Sequence, residues 1–151
     1  MKDRANVRIT LESEQGGEKQ VQQYAGEWFR KERTVYVRYV ENDDNYGEVR
    51  TLVRFREGEL HVKRHGGVES ELTYRAGNRI NGKFILPQAR FAMETETSLL
   101  WVQSGDMTKE GHGPALLLPM LPWLIEWHYS LWVDEQPAGD FKIRLRAEEC
   151  E

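Results

Sequence analysis

The feature that most constrains this chain is a repeated alternation of apolar and polar residues in short runs. In an extended chain successive side chains point to opposite sides, so Phe141-Lys142-Ile143-Arg144-Leu145-Arg146 puts three apolar residues on one face and three cations on the other. Val49-Arg50-Thr51-Leu52-Val53-Arg54-Phe55-Arg56 repeats the arrangement, with Val49, Val53 and Phe55 inward and Leu52 out of step. Ile125 to Val133 does so over a longer span, and only Trp132 interrupts its polar side. Shorter runs stand at Val7, Ile9, Leu11; Val35, Val37, Tyr39; Leu60, Val62; Leu72, Tyr74; and Phe91, Met93. Helical periodicity is scarce, so the chain reads as all-β.

Between the runs lie Gly and Asn, which accept the positive φ that tight hairpins need. Gly16-Gly17, Asn42 to Gly47, Glu57-Gly58, Gly66-Gly67, Gly77-Asn78, Asn81-Gly82 and Pro137 to Asp140 are the turn signals. Short hairpins make consecutive strands antiparallel neighbours, and about eight or nine strands in one sheet avoid open edges by closing on themselves. The expectation is a meandering antiparallel barrel, with a sandwich as the fallback. Gly26, inside the run Val21 to Arg30, marks a bulge or sharp bend. Residues 104–122 stand apart as a long loop, glycine-rich from Ser104 to Pro114 and apolar from Ala115, where a helical turn could form.

The 151 residues suit a single domain spanning 1–151. Five Trp, six Tyr and five Phe supply the bulk that disordered chains lack. With 21 Lys plus Arg against 25 Asp plus Glu, the net charge of −4 does not favour wholesale nucleic-acid binding. The single Cys150 can form no disulfide within the chain, which fits a reducing cytoplasm. Met1-Lys2-Asp3-Arg4 leads into a strand pattern and not into the apolar core of an export signal. The oily stretch Ala115 to Val133 contains Pro119, Pro122, Glu126 and His128, which argues against a membrane helix.

Gly26-Glu27-Trp28-Phe29-Arg30-Lys31, then Val35-Tyr36-Val37-Arg38-Tyr39 and Glu41, resembles the YwiB-like family of bacterial proteins of unknown function. Gly58 to Arg64, Tyr74-Arg75-Ala76-Gly77 and Pro87 follow in matching order over most of the chain. The resemblance implies a calycin-like, lipocalin-like β-barrel in a cytoplasmic bacterial protein, and it brings no catalytic residues with it. The chain departs from the pattern at Gln88-Ala89, where Phe-Gly would be looked for, and in the loop from Ser104 to Pro122.

No catalytic or cofactor-binding constellation emerges. On a strand, His61 and His65 stand about 13 Å apart with Lys63 between them, too far to clasp one metal ion. Ser104 lies in no nucleophile elbow, and Cys150 has a Glu on either side and no cation to activate it. Glu94 and Glu96 share a strand face, as many acid pairs must in so acidic a chain. Arg50, Arg54 and Arg56 could form a phosphate-binding stripe with Lys142, Arg144 and Arg146 if the two strands were neighbours, although Glu57, Glu59, Glu69 and Glu71 can neutralise it.

A small barrel either fills its interior with side chains or holds one small molecule there. Tyr39, Phe55, Tyr74, Phe91, Met93, Trp127 and Tyr129 are the candidate lining, suited to a hydrophobic guest or to a packed core. Leu116, Leu117, Leu118, Met120, Leu121 and Trp123 could cap a barrel end as a lid, plug it, or form an interface. The first functional reading is a non-enzymatic barrel binding a small hydrophobic molecule. The second is a packed barrel docking a protein partner or its own copy through residues 115–123. A nucleic-acid contact through Arg-rich strands is the third and weaker one.

Overall fold

The period-two runs become strands, and each strand pairs with the next. The structure is a computed structural model that describes residues 3–105 and 119–150. The described residues form ten strands: β1 (Arg4–Gln15), β2 (Glu18–Lys31), β3 (Thr34–Asp43), β4 (Gly47–Arg56), β5 (Glu59–Gly66), β6 (Glu69–Arg75), β7 (Arg79–Leu86), β8 (Ala89–Ser104), β9 (Trp123–Val133) and β10 (Gln136–Glu149). All neighbouring pairs are antiparallel, and β10 returns to β1 to close an all-β barrel that is calycin-like in shape.

The count of eight or nine strands is corrected to ten. The additional strand is β7, which contains the Asn81-Gly82 pair read from sequence as a turn. A Cβ on Gly82 would lie 2.5 Å from the Glu71 carbonyl oxygen, so this glycine permits close strand approach and does not turn the chain. The last hairpin also turns elsewhere than expected. Asp134 and Glu135 adopt φ of 48° and 68° as a two-residue loop, while Pro137 to Asp140 lies within β10 and carries a bulge.

One end of the barrel is packed solid. Ala5, Val7, Ile9, Trp28, Val35, Val37, Val53, Leu60, Ile125 and Leu145 form a continuous buried cluster there. Each large aliphatic in it contributes about 1.5–3 kcal/mol by leaving water. Residues 119–122 return across this end: Met120 N donates to Ser104 Oγ at 2.6 Å, Gly105 N to Pro122 O at 2.8 Å, and Arg30 to the Pro119 carbonyl. The helical turn expected in residues 104–121 falls largely on 106–118, outside the described residues.

The ladder has two interruptions. β2 and β3 pair only from Gly26↔Tyr39 to Lys31↔Thr34, so Glu18–Ala25 and Val40–Asp43 diverge toward the other end. A Cβ on Gly26 would meet the Arg38 carbonyl at 2.4 Å and Ile9 Cδ1 at 2.6 Å, so only glycine allows the bend where they part. β6 and β7 pair only from Glu69↔Ile85 to Glu71↔Lys83. Beyond that, Thr95 of β8 reaches across, its hydroxyl donating to the Thr73 carbonyl at 2.6 Å.

The core assignment predicts that Trp127→Ala, at a side chain only 4% exposed, costs about 3–5 kcal/mol in urea unfolding. Trp101→Ala, at an outward residue 42% exposed, should fall within about 0.5 kcal/mol of the parent. Similar costs for the two would refute the facing of β8 and β9.

Candidate functional site

The inward face changes character from the packed end to the other. Strand parity carries it from Val35, Val37 and Tyr39 to Glu41, and from Leu60 and Val62 to Arg64, so two charged residues enter the barrel where β2 and β3 part. Arg64 Nε lies 3.3 Å and its Nη2 3.4 Å from the Glu41 carboxylate, and the Thr51 hydroxyl donates to Glu41 Oε2 at 2.6 Å. The Glu41 side chain is only 18% exposed, so its charge is held by these partners more than by water. Tyr24 from β2 stacks on Tyr39 beside this pair, with ring centroids 4.8 Å apart.

An aromatic column runs from the packed end toward the other. Trp127 lies 5.7 Å from Tyr74, Tyr74 lies 4.7 Å from Tyr129, and Tyr129 stacks on Phe141 at 5.3 Å. Leu11, Leu72 and Ile143 flank the column as half-buried aliphatics. Burial pushes the Tyr39 phenol well above its ordinary range, and the Glu41 charge adds to that. Burial does the same to Tyr74, helped by Tyr129, and also raises Tyr129 and Tyr24. Among the described residues, the buried Trp28 Nε1, Trp132 Nε1 and Thr97 Oγ1 have no hydrogen-bond partner. Leaving such a group unpaired costs about 1–3 kcal/mol.

The seven lining candidates divide by depth. Tyr39, Tyr74 and Trp127 belong to the core, with Phe55 and Tyr129 packed against it. Phe55 sits at the packed end beside Trp123, their rings 6.2 Å apart. Phe91 and Met93 are half-buried on the first part of β8, where Phe91 meets Phe84 at 6.2 Å. Of the second set, Trp123 is a fully buried strand residue, Leu121 packs on the core and Met120 is 39% exposed. Leu116, Leu117 and Leu118 lie outside the described residues. Sequence reasoning missed Tyr24, Glu41, Thr51 and Arg64, although extending the inward parity of β3 and β5 would have found the charged pair.

Grooves mark the outer wall among the described residues. One, of about 260 Å³, is lined by Glu12, Lys19, Glu126, His128, Lys142 and Arg144. Its charges are satisfied locally: Glu126 accepts from Arg144 at 2.7 and 2.9 Å and pairs with His128 Nε2 at 2.8 Å, and Lys19 meets Glu12 at 2.8 Å. Burial would raise the Glu126 carboxyl, but its bonds and charges from Arg144 and His128 prevail and lower it. Another groove, of about 450 Å³, opens where β2 and β3 separate.

The stripe expected from β4 and β10 together does not form, because β3, β2 and β1 stand between them. Arg50, Arg54 and Arg56 instead face outward beside β3 and β5. His65 pairs with Glu69 at 2.8 Å, and among the described residues no group of three His, Cys, Asp or Glu could hold a metal ion. No described helix is long and apolar enough to cross a membrane, which leaves strand-borne spans unaddressed.

A family model described as "Domain of unknown function (DUF1934)" matches residues 5–145. The solved structure titled "Crystal structure of ywiB protein from Bacillus subtilis" is similar, with a TM-score of 0.75 and 20% identity, covering 100% of this chain and 96% of that one. At that identity the likeness shows the fold alone. No curated protein matches the chain.

The raised phenols give a pH signature. Free tyrosine loses its proton near pH 10.0, whereas Tyr39, Tyr74 and Tyr129 hold theirs higher in the folded barrel. Their stabilising contribution is therefore whole below pH 10 and is lost as pH rises through the folded values. Part of the phenolate absorbance should stay absent in an alkaline titration until circular dichroism reports unfolding. Full absorbance from an intact barrel would contradict the burial.

Proposed function

The chain belongs to the DUF1934 family of domains of unknown function, and on that premise we propose that it is a non-enzymatic barrel holding a small hydrophobic molecule in its open end. The observation that carries the reading is the unequal interior: apolar and closely packed at one end, half-buried, aromatic and charged at the other. The guest's apolar body lies against Tyr129, Phe141, Leu72 and Ile143, and a polar group on it reaches Arg64. Thr97 Oγ1 is a buried polar atom left for such a guest to meet. A lipocalin-like relationship and a reducing, cytoplasmic setting fit this reading, the latter through the free Cys150.

A second reading has its own support at the packed end. Leu99, Trp101 and Met120 are 39%, 42% and 39% exposed on the β8 and β9 side of that end. An apolar surface of this kind suits a protein partner or a second copy of the chain.

Native mass spectrometry beside a denatured run tests both. The first reading expects an added mass that disappears on denaturation and is reduced by Arg64→Ala. A protein bare in every preparation would overturn it, and a dimer dissociated by Trp101→Ser would establish the second.

A further inference from the structure

The outward positions of β3, β4 and β5 carry Arg38, Arg50, Arg54, Arg56 and Lys63 against Glu48 and Glu59. Carboxylates on flanking residues also meet these cations: Glu27 lies against Arg38, Glu57 is 3.8 Å from Arg56 and Glu71 is 3.7 Å from Lys63, so a phosphate must compete for each. Glu59 is engaged elsewhere, 3.2 Å from Arg75 of β6. Arg50 is 73% exposed, Lys63 54% and Arg38 52%, and Glu48 reaches Arg50 only at 3.8 Å.

Register arranges these residues in rows. Val40, Arg50 and His65 lie opposite one another across the three strands, then Arg38, Leu52 and Lys63, then Tyr36, Arg54 and His61. Every row joins at least one full cation to one apolar or aromatic side chain. Successive rows lie two residues apart, about 6.8 Å along the strands, close to the length of one nucleotide in an extended strand. Tyr36 stacks on Phe29 at 4.8 Å, and Arg4 and Arg38 lie over the Phe29 ring at 4.9 and 5.4 Å, so the third row continues into an aromatic pair flanked by cations. The 450 Å³ groove lies over the first two rows, with Ala25, Val40 and Leu52 as its apolar lining and Arg38, Arg50 and Lys63 as its cations.

We propose that this face is a seat for single-stranded nucleic acid. The cations follow the phosphates while the apolar and aromatic residues between them take base faces, the combination that sequence-tolerant single-strand binding uses. The repeat along the strands favours a polymer with a regular backbone over an acidic protein surface. Leu52, the lapse in the alternation of β4, becomes a contact in the groove. Glu27 sets the threshold for occupancy: it holds Arg38 Nε at 2.7 Å and Arg4 at 3.7 Å, and a phosphate must compete with it for both.

The test is fluorescence anisotropy with a labelled oligouridylate across a salt series, with a matched duplex and polyglutamate as competitors. Three phosphate contacts give a slope of log K against log salt of about −2, and Arg50→Ala or Lys63→Ala should each reduce its magnitude by about 0.7. Glu27→Gln should tighten binding, a gain that loss of a merely structural ion pair would not produce. Lys142→Ala, on a strand separated from β3 by β1 and β2, should leave binding unchanged. Circular dichroism verifies that each variant remains folded. Absence of saturable binding at low salt, equal loss with Lys142→Ala, or equal competition by the duplex or polyglutamate would overturn the proposal.

Discussion

Closure of the sheet between β1 and β10, from Val7↔Glu149 to Gln15↔Phe141, is the constraint on which the rest depends. Once that ladder forms, no sheet face is left for a separate layer to cover, and every inward side chain must share one enclosed space. Trp28 of β2 and Trp123 and Trp127 of β9 are large buried rings that help to fill it toward one end. The same closure turns alternate residues outward, so the chain's charges meet across strands on the outer wall. Glu27 with Arg38, Glu126 with Arg144 and Glu71 with Lys63 and Lys83 are such pairs.

The Glu41–Arg64 pair is the costliest departure from an apolar interior. Removing two charges from bulk water is repaid only when both are bonded and close. Here Thr51 and the guanidinium supply the bonds, and remaining exposure lowers the penalty. An all-apolar substitute could serve stability equally well, so the pair marks a place where interior chemistry departs from simple packing. Arg79, lying 4.2 Å over Trp132 and 3.0 Å from Glu94, covers the opposite anomaly, a half-buried indole on a polar face.

Much of this was legible because burial on one sheet face imposes a period of two. The runs at Phe141 and Val49 gave their strands and their facing directly, and the turns at Gly16-Gly17 and Glu57-Gly58 lie where glycine's positive φ is used. β7 was missed because Asn81-Gly82 carries the composition of a turn while a neighbouring backbone requires a missing Cβ. The turn at Asp134-Glu135 was missed because two acidic residues occupy a conformation normally given to Asn-Gly. Tyr74, Trp127, Tyr129 and Phe141 were legible as inward residues, but their joining into a column depends on registers that no local pattern encodes. Arg50 and Arg54 were visible as outward cations, whereas their neighbours Arg38 and Lys63 became apparent only from strand order.

The two interruptions of the ladder divide the wall unequally. β3 to β6 form one arc and β7 through β10, β1 and β2 the other, joined by the short ladders at Gly26–Lys31 with Thr34–Tyr39 and at Glu69–Glu71 with Lys83–Ile85. The joints sit toward opposite ends of the barrel. Of the two joints, that between β6 and β7 is the weaker, with three paired residues against six between β2 and β3. Backbone opening starts where the fewest ladder bonds must break, so the β6–β7 joint is the first to part, beside the end of the barrel that holds Glu41 and Arg64.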